Sequence, residues 1–127
     1  MSAPIVVVID DEALLRWAIV ESLTSAGFAV CQGGSAADAL RCVDKAADSP
    51  LVVVLDLKLP DSSDLSLARQ LMVQRPDAPV IIMTAHGSAQ DKAEAEAAGV
   101  FKFIQKPFDL TEMTIVVRAA TAKLGSW

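Results

Sequence analysis

The chain has 127 residues, 53% of them hydrophobic and only 21% charged, the size of a single domain spanning 1–127 that can bury a core of its own. Sixteen acidic residues against eleven basic ones give a net charge of −5, which excludes direct nucleic-acid binding unless positive charge is concentrated on one face, and the sequence has no such concentration. No apolar run approaches the roughly 18 residues that span a bilayer, and Met1–Pro4 lacks the basic start of a signal peptide, so a soluble cytoplasmic protein without membrane contact is expected.

In chain order, IVVVI (5–9) is a short apolar run rich in β-branched residues and reads as a strand; it ends in Asp10 and Asp11. Leu15, Ala18, Ile19, Ser22, Leu23 and Ala26 then form one helical stripe, and Gly27 falls where a left-handed C-terminal cap is wanted. FAVCQ (28–32) is the second strand. Ser35 stands at the N-cap of a second helix whose stripe begins Ala37, Leu40, Val43, Ala47 and which Pro50 bars from continuing. The third strand, LVVVL (51–55), runs into Asp56. Pro76 and Pro79 separate the next helical stretch from PVIIM (79–83), which is followed by Thr84; Gly99 marks another helix end before VFKFI (100–104). Lys106 and Pro107 follow that strand, Thr111 occupies an N-cap position, and a final helix of about Leu110 to Lys123 ends in the tail LGSW. Cys31 and Cys42 lack C-x-x-C spacing and sit in apolar or helical surroundings, so two buried free thiols are expected.

Strands this uniformly apolar are buried on both faces, and alternation with helices implies a parallel sheet covered on both sides: an α/β doubly wound domain of five strands and five helices. In such sheets function collects outside the carboxyl ends of the strands. Asp10, Asp11, Asp56, Thr84 and Lys106 would all converge there. Three gathered carboxylates repel one another, a cost that a hard divalent cation with oxygen ligands removes, and Mg2+ suits such a cluster. With that charge offset, Asp56 can serve as nucleophile toward a phosphoryl group, Lys106 can pair with its oxygens and Thr84 can hydrogen-bond.

IDDE (9–12), LDLKLPD (55–61), MTA (83–85) and KPF (106–108), in this order across essentially the whole chain, resemble the receiver domain of bacterial two-component response regulators. The resemblance implies the flavodoxin-like strand order 2-1-3-4-5 and a signalling domain that catalyses only its own phosphorylation and dephosphorylation. It implies that Asp56 is the phosphoacceptor, Asp11 and Asp56 are direct metal ligands, Asp10 holds metal-bound water, and the backbone carbonyl of Lys58 is the third protein ligand. Thr84 matches the switch hydroxyl, Lys106 the invariant lysine, Pro107 a proline that commonly follows a cis bond, and Phe103 a rotating aromatic. RWAIVESL (16–23) and LDLKLPD are also similar to receivers of nitrogen-regulator-type transcription activators. Implied partners are a sensor histidine kinase or phosphotransfer protein, an output domain or protein target, and a second copy on phosphorylation. The implied contact face includes Ala89–Ala98 and Phe101–Phe103.

Plainer roles compete at single positions. A strand-ending Asp is often a turn residue, the Lys58 side chain reads as solvent-facing, Phe103 as core, His86 as an exposed loop residue and Trp17 as packing. Asp64 stands where the family has a glycine, so either the turn needs positive φ or Asp64 N-caps the third helix. Among other functions, an aspartate-nucleophile phosphatase would want an acid at position 58, DDEA (10–13) would repel a flavin phosphate, and no G-x-x-x-x-G-K-[ST] occurs. The rival that stands is a receiver fold used as an interaction module without phosphorylation.

Overall fold

The computed structural model describes residues 3–124. Its elements alternate: β1 (Ile5–Ile9), α1 (Ala13–Ser25), β2 (Ala29–Gly33), α2 (Ala36–Lys45), β3 (Leu51–Asp56), α3 (Ser66–Gln74), β4 (Val80–Thr84), α4 (Ala89–Ala98), β5 (Lys102–Gln105) and α5 (Leu110–Lys123). The five strands form one parallel sheet in the order β2-β1-β3-β4-β5. The chain therefore reverses direction across the sheet between β1 and β3, the strands that end in Asp10 and Asp56.

Period-two alternation along the strands divides the core in two. Val7, Ile9, Val53, Leu55 and Ile82 point to one face, where Ala39 and Val43 of α2, Ala68 and Leu71 of α3, and Ala95 of α4 cover them. Val6, Val8, Val52, Val54, Ile81 and Met83 point to the other, under Ile19 and Leu23 of α1 and Met113, Val117 and Ala120 of α5. Each fully buried aliphatic side chain contributes roughly 1.5–3 kcal/mol, so this apolar sandwich is what holds the strand ends in register.

Helix ends follow the expected chemistry at most positions. Ser35 caps α2 by accepting from the Asp38 N–H at 3.1 Å. Gly99 ends α4 at φ 100°, and the Val100 N–H returns to the Ala95 carbonyl, which delays β5 to Lys102, two residues later than the apolar run VFKFI implies.

Five expectations need correction. Thr111 is not an N-cap: α5 starts two residues earlier than that cap would imply, and Asp109 holds the position, without a side-chain bond. The buried stripe of α2 is Ala39, Cys42, Val43 and Ala46, with Ala37 and Ala47 exposed, because the helix turns to seat Cys42 on the sheet. Cys42 and Cys31 are not free thiols but a disulfide, with Cα atoms 5.8 Å apart; the crossover folds α2 back over β2 and opposes residues eleven apart. Trp17 is 63% exposed rather than packed. Asp64 needs no positive φ, a region that only glycines occupy among the described residues, nor is it the formal N-cap, which is Leu65. Its carboxylate accepts from both the Ser66 N–H (2.9 Å) and the Ser66 hydroxyl (2.5 Å), tying off α3 from one residue further out. The tail residues 125–127 lie outside the described residues.

Candidate functional site

Asp10 directly follows β1, Asp56 ends β3 and Thr84 ends β4, so the parallel register brings the three side by side at one sheet edge. Asp10 is fully buried, Asp56 5% exposed and Thr84 1% exposed, while Asp11 faces solvent. One carboxylate oxygen each from Asp10, Asp11 and Asp56 lies within 4.8 Å of the others. Such burial of charge is costly unless it is paired.

The pairing comes from Lys106. Its backbone N–H donates to the Thr84 carbonyl at 2.8 Å just before a cis bond to Pro107, and this anchors the side chain over the cluster. The ammonium meets Glu12 Oε1 at 2.7 Å, Asp10 Oδ2 at 3.0 Å and Asp56 Oδ2 at 3.0 Å. Burial alone would lower the Lys106 pKa, but the carboxylates of Glu12, Asp10 and Asp56 outweigh it and raise it, so the ammonium keeps its proton. Asp10 is pushed above the ordinary carboxylate value of 3.8, chiefly by burial and further by the charge of Asp56, against the opposing pull of the Glu12 N–H and Lys106.

Backbone groups complete the frame. The Glu12 N–H donates to Asp10 Oδ1 at 2.8 Å and the Lys58 N–H to Asp56 Oδ1 at 3.0 Å, while the Lys58 side chain is exposed. Arg16 donates to the Asp10 carbonyl at 2.7 Å. Asp10 Oδ2 has no well-directed hydrogen bond among the described residues; the Lys106 contact is ionic. An under-satisfied buried oxygen, an elevated Asp10 and an all-oxygen donor set fit a hard divalent cation. The cleft above these groups measures about 200 Å³ and is lined by Asp11, Glu12, Asp56, Lys58, Thr84, Ala85, His86 and Lys106.

Thr84 Oγ accepts from the His86 N–H at 3.3 Å, and His86 itself is exposed, as the sequence suggests. Phe103 is half-buried and packed on the α2–α4 side of the core. Between them lies Gly87, where a Cβ would stand 2.6 Å from the Phe103 ring and 2.8 Å from the Thr84 methyl. Sequence reasoning assigned no role to Glu12, Arg16 or Gly87. Only Glu12 carried a signal, as a third acid directly after Asp10 and Asp11.

A doubly wound sheet that gathers carboxylates, a buried hydroxyl and a lysine at its reversal point has the arrangement of a signalling receiver domain. The chain belongs to the response regulator receiver domain family, whose model matches residues 6–118. It is 33% identical over 120 residues to the DNA-binding transcriptional regulator NtrC of Escherichia coli K12, an alignment covering 94% of this chain and 25% of that protein. The chain thus spans about a quarter of the length of this relative. A response regulator receiver domain protein from Clostridium thermocellum superposes with a TM-score of 0.87 at 28% identity, over 95% of this chain and 96% of that one. The beryllofluoride-activated NtrC4 receiver domain dimer gives 0.86 at 25% identity, over 95% and 98%. Among the described residues no helix is long and apolar enough to cross a membrane.

Proposed function

We propose that Asp56 accepts a phosphoryl group from a sensor histidine kinase or phosphotransfer protein, and that Asp10, Asp11, Asp56 and the Lys58 carbonyl hold a Mg2+ ion for that transfer. The observation that carries this reading is Lys106, held 3.0 Å from Asp56 Oδ2 inside a cluster of three carboxylates. When bound, Mg2+ supplies positive charge that offsets the carboxylates and the incoming phosphoryl oxygens.

The chain's own groups do the rest. The Lys58 N–H fixes Asp56 Oδ1 and so orients the carboxylate. An Asp56 oxygen attacks phosphorus, the P–N bond to the donor imidazole breaks, and its electron pair returns to the ring nitrogen. Lys106 donates to the arriving oxygens; such charge-assisted bonds are worth about 1.5–3 kcal/mol each. The acyl phosphate brings up to two negative charges. Thr84, buried at the end of β4, turns its hydroxyl toward one of the new oxygens, and the space it leaves is filled by Phe103 across Gly87. A two-state equilibrium of the α4–β5–α5 face is thereby biased.

That face, including Ala89–Ala98 and Phe101–Phe103, contacts an output domain or a second copy; the activated NtrC4 receiver offers the precedent of a dimer. The whole of 1–127 works as one cytoplasmic receiver unit. An interaction module without phosphorylation has no use for three carboxylates gathered around one lysine, which weighs against that rival. The deciding experiment is intact mass after incubation with Mg2+ and acetyl phosphate. A phosphate-sized gain that disappears in Asp56→Asn and on chelation is the expected result. No gain from acetyl phosphate or from a phosphohistidine donor, together with no detectable Mg2+ binding, would return the unphosphorylated module as the better reading.

A further inference from the structure

The Lys106 ammonium meets three carboxylates, donating hydrogen bonds to Glu12 and Asp56 and holding Asp10 by an ionic contact. Two of these, Asp10 and Asp56, are buried parts of the acid cluster. The third, Glu12, differs in kind. Its side chain is 59% exposed, yet it makes the shortest of the three contacts at 2.7 Å. Glu12 occupies the N-cap of α1 with no side-chain capping bond, so no hydrogen bond ties its carboxylate to the helix start. Its backbone bonds, N–H to Asp10 and carbonyl to Arg16, do not depend on the side chain.

We propose that Glu12 is an electrostatic brake on phosphoryl entry: its carboxylate holds the exposed side of the Lys106 ammonium at 2.7 Å and repels dianionic donors from the mouth of the Asp56 cleft, which it also lines. The inference rests on Asp56 being the acceptor. Three carboxylates lie within 3.0 Å of the Lys106 ammonium, so a phosphoryl group that pairs with it displaces one of them. Breaking Asp10 or Asp56 away would leave a buried charge unpaired, whereas Glu12 can swing into water at little cost. Until it does, a full negative charge lies within one ammonium's width of the path of an anionic donor. Glu12 therefore disfavours small dianions more than donors of lower charge, and the receiver is shielded from adventitious phosphorylation.

The test compares wild type, Glu12→Gln and Glu12→Asp by intact mass, using Mg2+ with dianionic acetyl phosphate or with phosphoramidate, largely a monoanion at neutral pH. Glu12→Gln keeps the shape and an oxygen for Lys106 but removes the charge; it is expected to label roughly three- to tenfold faster with acetyl phosphate, the effect of one nearby charge at high dielectric. The gain should be smaller with phosphoramidate and should fade as salt rises toward about 1 M, where screening acts over about 3 Å. Glu12→Asp keeps the charge on an arm one methylene shorter and is expected to label at a rate between wild type and Glu12→Gln. A Glu12→Gln protein that labels no faster than wild type, or whose gain is the same for both donors and indifferent to salt, overturns the brake while leaving the acceptor standing. A wild-type protein that labels equally well after Asp56→Asn removes the acceptor, and the brake with it.

Discussion

β3 and β5 lie in the same sheet, yet β3 and the α4–β5 region are built on opposite principles. Every residue of β3 is buried, clamped between β1 and β4 with helices on both faces. In contrast, α4 buries only Ala95 of its ten residues, and of the four residues of β5 only Ile104 is buried. Local opening free energy tracks buried apolar contact. The strand that carries Asp56 is thus fixed, while the segment that carries Phe103 is held loosely. A reaction that needs carboxylates and an ammonium at 3 Å belongs on the first, and a response to that reaction belongs on the second.

The largest effect that would break the contrast lies in the fixed half. Ile82 is fully buried on β4 among the residues beneath α2, α3 and α4. Ile82→Ala is expected to cost about 2–5 kcal/mol, a large share of the roughly 5–15 kcal/mol that stabilises a domain. The urea midpoint reads it directly. A loss below about 1 kcal/mol would mean that the central strands are less tightly packed than their burial implies.

Gly87→Ala probes the loose half. The added Cβ meets the far end of the Phe103 ring at 2.6 Å and the Thr84 methyl at 2.8 Å. Overpacking in a rigid core costs about 1–3 kcal/mol; Phe103 is half-buried and can swing outward, but Thr84 is 1% exposed and has to shift as well, so a cost within that range is expected. Amide and methyl NMR shifts should change around Thr84, Gly87 and Phe103 and leave β1 and β3 still. Changes that spread into Val53 or Val8 would show that the two halves are mechanically one.

The same contrast explains what could be read from the sequence. β1, β3 and β4 announce themselves because two-faced burial writes an unbroken apolar run, and the acids that interrupt those runs, Asp10 and Asp56, stand out against it. Ser35 and Gly99 were legible because capping is local chemistry. What stayed hidden depends on contacts between distant residues or on where a helix face points. Glu12 reaches Lys106 across 94 positions, and the pairing of Cys31 with Cys42 appears only once α2 has folded over β2. Trp17 looked like packing because its type is apolar, but the buried side of α1 runs through Ile19 and Leu23, and Trp17 lies off it. The role of Gly87 follows from the approach of Phe103, which no local pattern records.

The smallest expected effect concerns the seam between the site loop and the fixed half. After Asp56 the chain turns through a tight Leu59–Ser62 bridge, and Asp61 lays its carboxylate across the first turn of α2, accepting from the Ala36 N–H at 2.7 Å and the Ala37 N–H at 3.2 Å. Free N–H groups at a helix start favour a nearby anion. They hold Asp61 below its ordinary value of 3.8, the Ala36 N–H being the main cause. A carboxylate depressed by folding contributes stability that is fully present above its unfolded value and is lost as pH falls through the lower folded one. Asp61→Ala should therefore lower the urea midpoint modestly at about pH 7, and the gap to wild type should narrow as pH is taken down to about 3. Ser35 continues to cap α2 in both proteins, so a gap that does not change with pH would assign the tie to the packing of the loop rather than to the charge of Asp61.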